Sequence, residues 1–419
     1  MVKKVLLCSV GGSYQPIITA IESLEPDFIF FICTEGPKGS EKQITGKGNV
    51  IKAGLGDEKP TLPNIPTLVG LQENCYELVP VEADNLDSTY NTIYKTIDLI
   101  ADRFPEAEMV ADYTGGTKGM SVALVLAALE HDVPLHLVTG QRADLVKVAD
   151  NTQWGVPVDY ETIRMRREIG LGLAAWQHYG YSQAVETLKN IKRTSNPVLQ
   201  KQHLIALNLS KAFDHWDRFD HAAAYDILFK YAEVVGREYS GCLATLGLFI
   251  KGGPAREPTL ICDLWLNALR RAAQGRYDDA VSRAYRVLEW VVQWLLRDRC
   301  NVDTSDLPKD FIPESIGIKP NHKNRLQAPL FLAWQLVEAK TDTNMARFFR
   351  ENKKDFQGKL EIRNDSILAH GFTPVDSNKW TAILEWMENG VLPAFLKDAR
   401  HTGLKKMPAQ LPNIYNFEL

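Results

Sequence analysis

Apolar residues in the first third of the chain fall in short unbroken runs, separated by stretches in which they recur at helical spacing. KVLLCSV (Lys4–Val10), DFIFFIC (Asp27–Cys33), YELVPVEA (Tyr76–Ala83), EMVADYT (Glu108–Thr114) and PLHLVTG (Pro134–Gly140) read as strands buried on both faces. After the first strand, Ile17, Ile18, Ile21 and Leu24 lie on one side of a helix. Further helices are expected over about Leu86–Phe104 and Thr117–His131. Continuous apolar strands alternating with amphipathic helices predict a parallel, doubly wound, Rossmann-like sheet, and ligands bind such sheets at the carboxyl ends of the strands. A glycine- and lysine-rich insertion, Glu35–Asn64, is expected to be a mobile loop at that edge; it is a candidate lid, though a plain solvated loop is the simpler reading.

From about Tyr160 the strand signals vanish and helical spacing takes over. The segments Tyr181–Leu188, Phe219–Ala232 and Gly275–Arg299 each set an aromatic residue three positions before an alanine, faintly like tetratricopeptide helices. Their intervals are unequal, so helical hairpins are expected and no regular repeat. KGGPAREP (Lys251–Pro258) is the best linker candidate between a middle helical region and a C-terminal one. In the latter, Ala280, Ala284, Val287, Val291 and Trp294 form an apolar stripe suited to a bundle core or a subunit interface, core being the simpler reading. The expected organisation is an α/β domain over 1–158, a helical connecting region over 159–255 and an all-α domain over 256–419.

Length and composition sharpen this picture. A chain of 419 residues exceeds one ordinary domain, and 45% hydrophobic with 24% charged content describes a soluble globular protein. MVKKVLLCSVGG has too short an apolar run for a signal peptide, and the longest run, Ser121–Leu129, is far short of a membrane span. The six cysteines are scattered without a CxxC pair, which suggests neither a zinc site nor a disulfide framework and fits a reducing cytoplasm. With a net charge of -4, any nucleic acid must be held by a local basic patch.

Two places carry candidate chemistry. SVGGSYQP begins with Ser9, Val10, Gly11, Gly12 and Ser13 after the first strand, and TGGTKGM places Thr114, Gly115, Gly116, Thr117 and Lys118 after the fourth. Both join a strand to a helix N-terminus, where glycines permit close approach and free N–H groups favour an anion. Lys118 adds a positive charge, and Thr114 and Thr117 add hydroxyls. Neither loop is a Walker A sequence or a GxGxxG fingerprint, and either alone could be a tight turn; two on one edge favour a nucleotide or phosphate ligand.

The second place is LEIRNDSILAHG, in which Arg363 and His370 would share a helix face two turns apart, closed by Gly371 and Pro374. The spacing alone is weak, since chance supplies it about once in a chain of this composition. An arginine can grip a phosphate bidentately, and a histidine in the last turn of a helix is held toward its protonated form by the dipole. Such a pair suits attack of the 2'-hydroxyl of RNA on the adjacent phosphate, chemistry that needs no metal. Arg347, Arg350, Lys353, Lys354 and Lys359 offer a patch for the RNA backbone. The bland alternative is a histidine capping helix carbonyls and an arginine paired with Glu361 or Asp365.

Taken together, ADYTGGTKGMSVAL and RNDSILAHG make the chain resemble the CRISPR-associated ribonucleases of type III systems that join a CARF sensor domain to a HEPN nuclease domain. The first segment is similar to the second ligand motif of CARF domains. The second matches the HEPN pattern of an arginine, then a polar residue, with four to six residues in all before a histidine. The resemblance implies a homodimer in which CARF loops Ser9–Ser13 and Thr114–Lys118 bind a cyclic oligoadenylate, tetra- or hexa-adenylate. Arg363, Asn364 and His370 would then cleave single-stranded RNA, with no metal and no cofactor beyond that allosteric activator. Arg363 would meet transition-state charge, His370 would transfer a proton or stabilise phosphate, and Asn364 would position the substrate. A nucleotide-sensing regulator whose helical part only binds a partner or RNA is the alternative from another class; in a third reading the CARF domain slowly degrades its own messenger.

Overall fold

The computed structural model describes residues 2–36, 38–46, 64–142, 148–236 and 239–416, and it divides into two compact units, Met1–Arg164 and Met165–Leu419. Most of the insertion read as a mobile loop or lid, residues 47–63, lies outside the described residues.

In the first unit all five expected strands form: β1 (Lys4–Ser9), β2 (Phe28–Cys33), β3 (Tyr76–Pro80), β4 (Glu108–Asp112) and β5 (Leu135–Arg142). A sixth, β6 (Val148–Val158), completes a sheet in the order β3-β2-β1-β4-β5-β6. β1 to β5 are parallel, whereas β6 returns antiparallel to β5. The sequence reading did not find β6 because VADNTQWGVPV has no continuous apolar run and contains a glycine and a proline. As an edge strand it pairs on one side only, where proline is tolerated.

Successive side chains of a strand point to opposite faces, so each apolar run feeds two cores. Val5, Leu7, Phe28, Phe30 and Ile32 pack with Ile93, Ile97, Met120 and Leu124 of the helices Leu86–Arg103 and Lys118–Glu130. Leu6, Cys8, Ile29, Phe31 and Cys33 pack on the other face with Ile17 and Ile21 of the helix Gln15–Leu24. Every residue of β2 is buried, as a strand covered on both faces requires.

The second unit is helical and holds two apolar clusters. One gathers Met165 to Phe249 around Trp176, Phe213 and Trp216, and Leu411 of the C-terminal tail joins it. The other runs from Ile261 to Leu404 and takes in the whole stripe Ala280, Ala284, Val287, Val291 and Trp294, which is therefore core. The stretch read as a linker is a turn between the helices Ser240–Lys251 and Arg256–Ala273. Gly252 and Gly253 take φ of 80° and 106° there, values that favour glycine.

A buried polar seam joins the two clusters. Arg270, fully buried, donates from Nε to Asp217 Oδ1 at 2.7 Å, and Arg271 pairs with the same carboxylate. Asn267 donates to the Asp217 carbonyl and carboxylate at 2.9 Å, and Trp216 donates to Asp263 at 3.1 Å. Charges enclosed in this way are tolerable only as a complete set. Asp217→Ala, which strands two arginines, is expected to destabilise the chain by about 3 kcal/mol in denaturant unfolding; a loss below about 1 kcal/mol would show the seam to be solvated.

Candidate functional site

The order of strands reverses direction at β1 and β4, so a crevice opens between the loops that leave their carboxyl ends. These are the two glycine loops singled out in the sequence, and the structure packs them backbone to backbone. Ser9 Oγ donates to the Gly115 carbonyl at 2.7 Å. A Cβ on Gly115 would stand 2.2 Å from the Ser9 carbonyl oxygen, one on Gly11 would stand 2.6 Å from the Gly116 nitrogen, and Gly116 has φ of 82°. Only glycine fits these positions.

This closeness changes the parts expected of individual residues. Ser9 and Val10 are fully buried, so their side chains face the protein and not a ligand. The Thr114 hydroxyl donates to Asp112 Oδ2 at 3.2 Å and accepts from the Val138 N–H at 2.7 Å. The Thr117 hydroxyl caps the helix Lys118–Glu130 by accepting from the Met120 N–H at 3.3 Å, and it donates to the Ala83 carbonyl at 3.2 Å. The hydroxyls read as phosphate contacts are thus engaged in holding the loops. Gly12, Ser13, Thr117 and Lys118 are exposed, and Lys118 has no carboxylate partner among the described residues. An open cleft of about 630 Å³ lies alongside, lined by Thr34, Glu35, Lys38, Glu82, Ala83 and Ser88 among others.

Beneath the loops sits a pair that the sequence reading missed. Asp112 Oδ2 lies 2.7 Å from His136 Nδ1, both side chains buried, and Asp112 Oδ1 accepts from the Thr114 N–H at 3.0 Å. The available signal was a carboxylate and an imidazole each interrupting an apolar strand run; their facing register needs the fold. Burial, and then the charge of Asp112, holds the Cys8 thiol well above its ordinary range, so this cysteine stays a protonated core residue.

In the second unit Arg363 and Asn364 end the helix Lys353–Asn364, and His370 is not on that helix. The expectation of one helical face closed by Gly371 and Pro374 is therefore corrected. Ser366 Oγ donates to the Arg363 carbonyl at 2.7 Å, competing with helix continuation, and the chain folds back. The His370 N–H then donates to the Asn364 carbonyl at 3.2 Å, and the Gly371 N–H to the Ser366 carbonyl at 3.2 Å. A Cβ on Gly371 would stand 1.9 Å from the Asp365 carbonyl oxygen, so this turn requires glycine. A tight loop returns the His370 backbone to Asn364, so the helix dipole does not act on this histidine as expected.

Neither bland reading of these residues holds. Arg363 pairs with neither Glu361 nor Asp365; its guanidinium lies over the Tyr285 ring, 4.4 Å from the centroid, and Nη1 donates to Asn364 Oδ1 at 3.2 Å. His370 is exposed, and its ring has no hydrogen-bond partner among the described residues. The basic patch is smaller than expected: Arg347 pairs with Asp342 at 2.8 Å, and Arg350 and Lys353 pair with Glu338 at 3.6 and 2.7 Å. Lys354 and Lys359 have no such partner among the described residues, and Lys359 lines a small cavity together with Arg363. Ile367, Leu368 and Phe372, the last 94% exposed, project from the same loop. Chemically the loop carries a guanidinium and an imidazole without a carboxylate partner among the described residues, together with an amide, side chains of the types able to bind a phosphate and move a proton. No group of three or more His, Cys, Asp or Glu side chains among the described residues could hold a metal ion, and no described helix is long and apolar enough to cross a membrane.

Residues 252–391 match the family model of the Csm6 HEPN domain. No curated protein sequence matches the chain. Among solved structures, the chain resembles Enterococcus italicus Csm6 bound to cyclic hexa-2'-fluoro-hexa-dAMP, with TM-score 0.56 and 12% identity over 95% of both chains, a likeness of fold. Can2 from Sulfobacillus thermosulfidooxidans in complex with cyclic tetra-adenylate matches at TM-score 0.22 and 17% identity, over 49% of this chain and 55% of that one, too low to bear on the argument. The Arg363–His370 loop thus lies inside the residues that match the Csm6 HEPN model, in a chain whose fold is similar to that of a Csm6 structure.

Proposed function

We propose that this protein is an endoribonuclease of CRISPR antiviral defence, switched on when a cyclic oligoadenylate binds the two glycine loops. The observation that carries this reading is the tight loop 364–371 within the HEPN match, in which the His370 N–H returns to the Asn364 carbonyl, next in the chain to Arg363. Residues 1–158 are assigned to sensing, 159–255 to connection and 256–419 to RNA cleavage, all in the cytoplasm.

The reaction assigned to the site is attack of the 2'-hydroxyl of single-stranded RNA on the neighbouring phosphate, without a metal. Arg363 faces the phosphate and the charge that builds on its oxygens, His370 moves a proton or stabilises that charge, and Asn364 orients the group. One set supplies few groups for this chemistry, so two chains pair to form a composite site. The exposed Ile367, Leu368 and Phe372 beside the motif support that pairing, since apolar side chains grouped on a surface favour burial against a partner.

The sensor assignment rests on the crevice at β1 and β4, with Lys118, which has no carboxylate partner among the described residues, and a helix N-terminus at its mouth, both suited to phosphates. The E. italicus structure of the same fold holds a six-membered cyclic analogue, which supports a ring of cyclic hexa-adenylate size over the tetra-adenylate.

A labelled single-stranded RNA incubated in EDTA with cyclic hexa- or tetra-adenylate should be cut by the wild type, and the rate should fall at least about 100-fold in His370→Ala. Binding of the activator without RNA turnover would favour a sensing module without nuclease activity, and full cleavage by the variant would remove His370 from the site. Lys118→Ala should raise the activator concentration needed for half-maximal cleavage about tenfold, through loss of one charge-assisted contact; an unchanged activation curve would move the sensor site elsewhere.

A further inference from the structure

An arginine that stabilises a phosphorane faces conflicting demands. Its long side chain must be held still, yet the usual means, a carboxylate, neutralises it and occupies the N–H groups the phosphate needs. Elsewhere in this unit arginines are held in the usual way, Arg283 on Asp279 and Arg271 on Asp217. Arg363 is held otherwise: the face of Tyr285 lies 4.4 Å from the guanidinium carbon, and the Asn364 amide accepts from one nitrogen.

Tyr285 is well fixed for this purpose. It stands on the helix Tyr277–Cys300 between the buried Val281, Ala284 and Leu288, which anchor the helix in the core. The same helix steadies the exit of the His370 loop, because Asp278 Oδ2 accepts from the Val375 N–H at 3.0 Å. One rigid element thus supports both ends of the Arg363–His370 constellation. Burial raises the Tyr285 hydroxyl above its ordinary range, with Glu289 adding to the effect and Arg363 opposing it, so the ring supports Arg363 as a neutral aromatic.

We propose that Tyr285 is a positioning residue of the nuclease, its ring face fixing the Arg363 guanidinium while leaving charge and edge N–H groups available to the RNA phosphate. This deepens the nuclease reading above and rests on it. The test replaces Tyr285 in the full chain with Phe and with mono-, di- and trifluorinated Phe, which keep the ring's shape and withdraw electron density from its face. kcat and KM for RNA cleavage are measured at saturating activator, beside the wild type and His370→Ala.

Tyr285→Phe is expected to retain kcat within about twofold, and kcat is expected to fall stepwise with fluorination to about a tenth, with KM and melting temperature nearly constant. A kcat that stays level across the fluorinated series would overturn the proposal, because a purely structural ring is insensitive to its electron density. A wild type that fails to cleave would overturn the nuclease reading itself, and the positioning role with it. A graded loss at constant fold stability supports both.

Discussion

A cation that must meet a phosphate cannot be neutralised by its own protein, and this constraint organises both candidate sites. The chain carries a net charge of -4, so carboxylates are plentiful, and cations with structural work take them. Arg270 and Arg271 share Asp217, Arg283 holds Asp279, and Arg347, Arg350 and Lys353 are spent on Asp342 and Glu338. Lys118, Lys359 and Arg363 have no such partner among the described residues. They sit where backbone, ring faces and amides do the holding: Lys118 in the first turn of a helix capped by Thr117, Arg363 on Tyr285 and Asn364. Pairing either with a carboxylate would add local order and remove the attraction for a polyanion.

Both sites are also shaped by backbone that approaches too closely for a side chain. Ser9, Gly11, Gly115 and Gly116 bring two loops together at the crevice of the sheet, and Gly371 closes the turn that returns His370 to Asn364. Glycines there are a steric requirement. Hydroxyls near such approaches are drawn into the fold, as Ser9, Thr114 and Thr117 show. What remains exposed for a ligand is chiefly main chain and unpaired charge, which suits phosphate groups better than bases.

Much of this was legible in the chain itself, for identifiable reasons. The five continuous apolar runs became strands because a run buried on both faces leaves an unambiguous signal, and the stripe Ala280 to Trp294 became core because its period is helical. β6 was hidden because an edge strand needs no apolar run. His370 was placed on a helix because the sequence does not reveal that the Ser366 hydroxyl takes the Arg363 carbonyl and ends it. Asp112 with His136, and Tyr285 with Arg363, were invisible for a different reason: each pair is made by residues far apart in sequence, and only the fold supplies their register.

The central claim is that an unneutralised arginine and a histidine let RNA cut itself through its own 2'-hydroxyl. The most direct measurement is the chemical identity of the ends left on a cleaved single-stranded RNA, by mass spectrometry of the products formed in EDTA. The account predicts a 2',3'-cyclic phosphate or its hydrolysed form on one fragment and a 5'-hydroxyl on the other. A 5'-phosphate with a free 3'-hydroxyl would mean that water attacked in place of the ribose, and would contradict the roles given to Arg363 and His370.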